Sequence, residues 1–405
     1  MILTWALSGC LASLLLAGGA ERWSVARARR RIPVRIHVNG TRGKSTVTRL
    51  IHAALREAGI PAMARTTGTA ARLLLPDGRE ETWPRRGRPN IREQLRLLRL
   101  AEKHGVRALV SECMAIHPAL QWTAEREMMQ STIGVLTNVR ADHGEIMGRT
   151  LEETARCLAN TIPQQAVLVH GEKRFESLWG QAAARLGTRV VAVCRTGSPK
   201  HNPCEKNPEQ DPESRSANPH ALPRWLQECR AIALAVAREL DIDCVTALRG
   251  MDRYRPDPGA AACGRWNLGG GSVPLIDARA ANDPESLEQL LEDFDVGSRT
   301  GSGSRILIYN HRTDRPERLR AFLRSEIIAP GRGLHFLISG DFPCWTLRRE
   351  AGKALQTDSC PFLSRSALLR GLASLPFLPE AVILCGNSHG LDPREIAGAD
   401  FSPAG

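Results

Sequence analysis

The chain has 405 residues, 42% of them hydrophobic and 24% charged, which excludes low-complexity and disordered classes and leaves apolar content for more than one core. Its 11 cysteines include no C-x-x-C pair and are odd in number, arguing against a disulfide framework or a structural zinc site and fitting a reducing compartment. Lys and Arg number 55 against 43 Asp and Glu, a net charge of +12 that attracts polyanions; with 4% aromatic residues and no zinc-finger spacing, aromatic RNA-binding run or basic tail, nucleic acid ranks behind acidic lipid and an acidic substrate.

Met1 to Ala20 carries no charge and is rich in Leu, Ala, Ile and Trp, a run that reads as a membrane-spanning helix. Arg22, Arg27, Arg29, Arg30, Arg31 and Arg35 follow it and no basic residue precedes it, so the positive-inside rule places the remainder in the cytoplasm. The expectation is a single-pass anchor over residues 1–21. A cleaved secretory signal, with Gly18 and Ala20 as small residues for a peptidase, lacks the positive n-region. Leu7-Ser8-Gly9-Cys10 looks like a lipoprotein box, but much of the apolar run follows the cysteine.

From Ile32 the chain alternates β-rich apolar runs with helical periodicity, which predicts βαβ units and a parallel sheet. Val34 to Val38 reads as a strand and Asn39 to Gly43 as a loop. Val47, Leu50, Ile51, Ala54, Leu55 and Ala58 then follow a helical spacing that Gly59 and Pro61 terminate. Further strands are expected at Val106 to Val110, Ile133 to Leu136, Ala166 to Val169 and Val190 to Val193. Residues 196–221, rich in Pro, Asn, Ser, Glu and Lys, read as a flexible insertion before a helix over Leu222 to Leu240. Pro256 to Gly259 and Gly269 to Gly271 mark a boundary region. Beyond it a second α/β pattern has strands expected at Val273 to Ile276, Ile306 to Tyr309, Leu334 to Ile338 and Ala381 to Leu384, which gives domains over 22–255 and 256–405.

Gly40-Thr41-Arg42-Gly43-Lys44-Ser45-Thr46 lies between a strand and a helix, the setting a phosphate-binding loop requires. Glycines let backbone N–H groups face phosphate oxygens, the helix N-terminus adds positive charge, Lys44 reaches the β and γ phosphates, and Ser45 or Thr46 can ligate Mg²⁺. Val38 stands where the general pattern has its first glycine. A nucleotide loop also needs metal ligands, and the ends of the neighbouring strands supply candidates: Glu112 in Val110-Ser111-Glu112, and Asp142-His143 after Thr137-Asn138. Taken singly, each reads as readily as a surface acid or a structural pair.

Together these motifs resemble the ATP site of the Mur ligase and folylpolyglutamate synthase superfamily, whose members join an amino acid to a carboxylate. Arg85-Arg86-Gly87-Arg88-Pro89-Asn90-Ile91-Arg92-Glu93-Gln94, Ile276-Asp277-Ala278-Arg279-Ala280-Ala281-Asn282-Asp283-Pro284, Asn310-His311-Arg312-Thr313-Asp314-Arg315-Pro316 and Gly386-Asn387-Ser388-His389-Gly390, with the apolar N-terminus, make the chain similar to the ligase subunit of bacterial poly-γ-glutamate synthase over residues 32–390. The resemblance implies an α/β fold, with a Mur-ligase-like P-loop domain, a parallel-rich sheet and a smaller C-terminal α/β domain. It implies ATP and Mg²⁺ as cofactors, glutamate and growing poly-γ-glutamate as substrates, and other membrane subunits of a synthase and export complex as partners; with the composition as read above, no nucleic acid is expected.

It further implies roles for single residues. Gly40, Thr41, Arg42, Gly43, Lys44, Ser45, Thr46 and Asn138 would bind nucleotide, Ser45 and Glu112 one Mg²⁺, and His143 a second metal; Asp277 would position nucleotide or amine, making Lys44, His143 and Asp277 the catalytic set. The superfamily places a lysine, carbamylated in the folded enzyme, soon after the histidine, whereas Gly144 to Pro163 holds none. Arg85, Arg86, Arg88 and Arg92 read either as a cradle for polymer carboxylates or as a solvated basic face. Asn310, Arg312, Asp314 and Arg315 read either as a substrate motif or as a capped helix start. Other functions remain open at this level: a folate-type amino acid ligase, a nucleotide-switched membrane scaffold, or a nucleic-acid-dependent ATPase.

Overall fold

The computed structural model describes residues 2–67, 71–85, 87, 89–140, 142–193, 223–257, 261–268, 271–279, 281, 283–293, 304–329, 333–356, 362–375 and 377–387. Arg86, Arg88, Ala280, Asn282, Ser388 to Gly390 and the insertion over 196–221 lie outside the described residues. The chain divides into two compact units, one holding Met1–Pro219 and Leu226–Pro256, the other His220–Trp225 and Asp257–Gly405.

In the first unit α1 (Ile2–Arg31) precedes β1 (Val34–Asn39), α2 (Lys44–Glu57), β2 (Ala62–Thr66), β3 (Arg72–Leu74), β4 (Glu80–Thr82), α3 (Glu93–Lys103), β5 (Ala108–Glu112) and α4 (Pro118–Thr123). A π-helical turn at Ala124–Met129 leads to β6 (Ile133–Leu136), α5 (Gly144–Met147), α6 (Leu151–Leu158), β7 (Val167–His170), α7 (Glu176–Arg185), β8 (Arg189–Ala192), α8 (Arg224–Glu239) and α9 (Cys244–Asp252). The eight strands run in the order β4-β3-β2-β5-β1-β6-β7-β8. β2, β5, β1, β6, β7 and β8 are parallel, and β3 and β4 add an antiparallel edge. Both central strands are buried on both faces, as crossover helices demand: Ile36, Val38, Ala108, Leu109 and Val110 are fully buried. In α2 the apolar stripe Val47, Leu50, Ile51, Ala54 and Leu55 is buried, and Gly59, at φ 71°, ends the run.

The expected anchor over residues 1–21 is corrected. α1 does not stop there: it continues to Arg31, and Val25 and Ala28 on its charged half, with Ile32 just beyond, are buried in a core cluster with Met63, Leu97 and Trp83. Arg27 reaches Glu102 at 2.8 Å. Among the described residues no helix is long and apolar enough to cross a membrane. The apolar half of α1 is instead an exposed helix, with Trp5, Leu7, Leu11, Leu14, Leu15 and Leu16 all facing out.

The second unit is a six-stranded sheet built from β9 (Ala262–Leu268), β10 (Gly271–Asp277), β11 (Arg305–His311), β12 (Leu334–Gly340), β13 (Phe362–Leu363) and β14 (Val382–Gly386), in the order β13-β12-β11-β14-β10-β9. Only β9 is antiparallel to its neighbour. Its helices are α10 (Pro284–Asp293), α11 (Pro316–Leu323), α12 (Trp345–Ala354) and α13 (Arg365–Ala373). Two apolar clusters cover the two sheet faces, one around Ile276, Tyr309, Phe322 and Ile338, the other around Leu275, Ile308, Leu368 and Leu384. Among the described residues seven cysteines are free.

Candidate active site

The loop between β1 and α2 is shaped by two glycines. Gly40 holds φ 132°, and a Cβ there would lie 2.0 Å from Thr137 Oγ1, so only glycine lets the loop pass beneath the end of β6. Gly43, at φ 76°, is the N-cap of α2 and aims the first helical N–H groups into the loop. The helix N-terminus therefore carries positive potential where an anion would sit. Lys44 Nζ donates to the carbonyls of Gly40 at 2.8 Å and Thr41 at 3.3 Å, which keeps its ammonium inside that curve.

The remaining loop bonds come from the segment after β6. Thr137 Oγ1 donates to Arg42 O at 2.6 Å, and Asn138 Oδ1 accepts from Thr41 Oγ1 at 2.9 Å and from Arg42 N at 3.0 Å. Arg140 N donates to Thr41 Oγ1 at 2.8 Å, and Arg42 Nη1 to Asp142 Oδ2 at 2.8 Å. Thr46 is buried in the first turn of α2. Thus Gly40, Thr41, Arg42 and Lys44 of the predicted loop form one hydrogen-bonded assembly with Asn138.

Ser45 and Glu112, distant in sequence, meet because β5 lies beside β1: Ser45 Oγ donates to Glu112 Oε2 at 2.8 Å, and Thr67 N donates to the same oxygen at 2.6 Å. A hydroxyl and a buried carboxylate beside a phosphate loop form a hard oxygen donor set that suits Mg²⁺. His143 occupies a left-handed turn, φ 49°, at the head of α5; its Nε2 lies 3.8 Å from Asp142 Oδ1 and its Nδ1 3.7 Å from Glu145 Oε1. A non-glycine residue there is strained, a feature that clusters at functional sites. Among the described residues no group of three or more His, Cys, Asp or Glu can hold a metal, so His143 and Glu112 are not drawn into one such cluster.

Asp277 ends β10 in the second unit. Arg279 Nε and Nη2 grip its two carboxylate oxygens at 2.7 Å each, and both side chains are buried, so the group on offer is an ion pair. Nearby in that unit, Asn387 Nδ2 donates to Asn310 O at 2.8 Å and Arg318 Nη1 to Asn387 Oδ1 at 2.9 Å, joining the ends of β14 and β11. Pro316 opens the first turn of α11, as the helix-start reading of that motif expects, but Asp314 pairs with Arg312 at 2.7 Å and no side chain caps the helix. Arg85 lies 3.5 Å from Glu93 and Arg92 3.0 Å from Glu21, both engaged within the chain.

Sequence reasoning missed the support beneath the loop. Asn39 Nδ2 donates to Gln121 Oε1 and Thr161 Oγ1, both at 3.1 Å, while its Oδ1 accepts from Gly40 N at 2.8 Å. Beyond β7, Glu172 Oε2 accepts from Val139 N at 3.2 Å and Arg174 Nη2 donates to Val139 O at 2.6 Å, and the two side chains pair at 2.8 Å. Val139, between Asn138 and His143, is thus held at both its N–H and its carbonyl. The only signal in the sequence was the position of Glu172 just past a strand.

Comparison with known proteins joins these features. Residues 38–190 match the Mur ligase middle domain, and residues 266–395 match the poly-gamma-glutamate synthase CapB C-terminal domain. The chain is 33% identical over 391 residues to the capsule biosynthesis protein CapB of Bacillus anthracis, covering 92% of this chain and 81% of that one. It is 34% identical over 323 residues to PGA synthase CapB of Bacillus subtilis (strain 168), covering 78% of this chain and 77% of that one. Among solved structures it is similar in fold to E. coli FolC in complex with ADP, with TM-score 0.62, 18% identity, and 91% and 90% of the two chains covered. It also resembles folylpolyglutamate synthase from Thermotoga maritima, with TM-score 0.54, 14% identity and 90% of each chain covered. With the phosphate loop, the strand-end acid and both domain matches in place, the chain belongs to the poly-γ-glutamate synthase CapB family, a family of ATP-dependent ligases.

Proposed function

We propose that this chain polymerises glutamate into poly-γ-glutamate by activating a carboxylate with ATP. The carboxylate oxygen attacks the γ-phosphorus and ADP leaves; the amine of the next glutamate then attacks the acyl carbon and phosphate leaves, which forms the amide. The observation that carries this reading is the contact of Ser45 with Glu112 directly behind a glycine-shaped loop that encloses Lys44. The CapB relatives support the substrate, since one is named a PGA synthase and the other a capsule biosynthesis protein.

In this reading the N–H groups of Gly43 to Ser45 and the Lys44 ammonium hold the phosphates, and Asn138 keeps the loop in shape. Ser45 and Glu112 hold Mg²⁺, which when bound supplies charge neutralisation between the phosphates. His143 is the imidazole proposed to face the transferred phosphoryl group; no step is assigned to a second metal, since among the described residues no group of three or more His, Cys, Asp or Glu could hold one. The Asp277–Arg279 pair is proposed to position nucleotide or incoming amine. The exposed apolar half of α1 is proposed to bring the chain to the membrane face, where other subunits of a synthase and export complex would meet it.

The test is ADP release with and without glutamate, wild type against Lys44→Ala. The reading requires glutamate-stimulated ADP release and polymer in the wild type and neither in the variant. ATP hydrolysis indifferent to glutamate would overturn it.

A further inference from the structure

Arg65 is the penultimate residue of the buried strand β2, in a position sequence rules reserve for hydrophobic residues. Its side chain is 0% exposed. The parallel register places it beside Ser111 of β5, in turn beside His37 of β1, so a polar row crosses the sheet interior. Arg65 Nη2 donates to the Glu93 carboxylate and lies 3.4 Å from Met114 Sδ, and the guanidinium lies over the Trp83 ring at 4.7 Å. Its Nε and Nη1, which carry three N–H bonds, are buried without a hydrogen-bond partner.

Donors outnumber acceptors around it, although Gln94 Oε1 and the Ser111 hydroxyl in the same polar row are also buried without a partner. Trp83 Nε1 is also buried and unpartnered, and Arg96 lies over the same ring at 5.2 Å. Arg85 shares Glu93 with Arg65 at 3.5 Å, so two guanidiniums face one carboxylate. Burial lowers the Arg65 pKa only to about 10, which leaves it cationic at neutral pH. Each buried unmade hydrogen bond carries a desolvation cost that an incoming acceptor removes. Two residues on, Thr67 N touches the Glu112 oxygen that Ser45 also touches, so the donor surplus adjoins the phosphate loop.

We propose that Arg65, backed by Trp83, is a carboxylate-binding subsite that anchors an acidic group of the growing γ-linked glutamate chain beside the nucleotide site. The proposal rests on the ligase reading above. An anchored side carboxylate fixes the register of the polymer, so that the reacting carboxylate is presented at the phosphate loop. Planar Arg over an aromatic ring suits this better than Lys, whose ammonium cannot stack and donate in one plane.

The full chain is titrated with a short γ-linked glutamate oligomer, without nucleotide, by calorimetry and tryptophan fluorescence, and ADP affinity is measured on the same samples. Arg65→Gln weakens oligomer binding by roughly ten- to a hundredfold and Arg65→Lys by less, with ADP affinity unchanged. The oligomer-dependent fluorescence change is lost in Trp83→Phe. Unaltered oligomer affinity in Arg65→Gln that still binds ADP overturns the subsite and leaves Arg65 as packing for Trp83. If that variant no longer binds ADP, Trp83→Phe decides: an undiminished fluorescence change overturns the proposal. Wild-type ADP release stimulated by glutamate, measured in parallel, separates the two claims: with it intact only the subsite falls, and without it the ligase reading falls too.

Discussion

Replacing Gly40 by Ala strikes the point where the phosphate loop passes closest to the sheet. The added Cβ would lie 2.0 Å from Thr137 Oγ1 and 2.9 Å from Thr137 N, and φ 132° is a conformation that side chains avoid. Thr137 must move, and with it go its bonds to Arg42 O at 2.6 Å and Asn39 O at 3.0 Å. The backbone strain costs about 1–3 kcal/mol and each lost bond about 0.5–1.5 kcal/mol. The sum, about 2–6 kcal/mol, corresponds to a loss of nucleotide affinity of roughly thirtyfold or more. Gly43→Ala is the internal standard: φ is 76°, and the new Cβ would meet only the Cys229 thiol at 3.0 Å, a side chain that can give way. Its cost is about 1–2 kcal/mol. Calorimetric titration with ADP on both variants, with circular dichroism to verify folding, tests the ranking. Gly40→Ala binding as well as wild type, or better than Gly43→Ala, would refute the reasoning.

Ser45→Ala removes one of two donors to Glu112 and one oxygen donor for Mg²⁺, so half-maximal ADP binding should need roughly tenfold more Mg²⁺; an unchanged requirement contradicts the assignment. Arg174→Ala releases Val139 O and should lower kcat with little change in the KM for ATP, since it acts through the Asn138–His143 segment; a pure loss of thermal stability would speak for a structural role only. Burial lowers the His52 pKa from 6.5 to about 4, against the Ala62 carbonyl that its neutral ring meets at 3.1 Å. The unfolded chain therefore takes up the proton first, and stability that is complete above pH 6.5 is lost as pH falls toward 4, by about 3 kcal/mol. His52→Gln should flatten that acid limb in thermal melts; an unaltered limb refutes it. Thr150→Ala breaks the capping box with Glu153 and should cost the first unit about 1 kcal/mol, read as a lowered denaturation midpoint.

The loop at Gly40 to Thr46 was legible because its constraints are local: a strand, a glycine turn and an amphipathic helix leave their marks within a short window. The strand ends carrying Glu112, Asn138 and Asp277 were legible for the same reason, apart from shifts of a residue or two at the boundaries. What the sequence does not display is pairing across the sheet. Ser45 and Glu112 meet through the β1–β5 register, and Arg174 reaches Val139 from beyond β7. Strand β2 escaped notice because Arg65 and Thr66 interrupt its apolar run, a departure from local pattern of the kind expected where function overrides packing. The edge strands β3 and β4 are three residues each, too short for a period-two signal. The apolar start of α1 led to the anchor expectation because its composition says nothing of how far the helix continues or where its charged half docks.

The central claim is that a glutamate carboxylate takes the γ-phosphoryl group before the amide forms. Glutamate oligomer carrying ¹⁸O in its carboxylates is turned over with ATP, and the released phosphate is analysed by mass spectrometry. The account predicts ADP as the nucleotide product and one ¹⁸O transferred to phosphate per amide formed, with no transfer in Lys44→Ala. Amide formation without ¹⁸O in phosphate, or with AMP as the product, would contradict it.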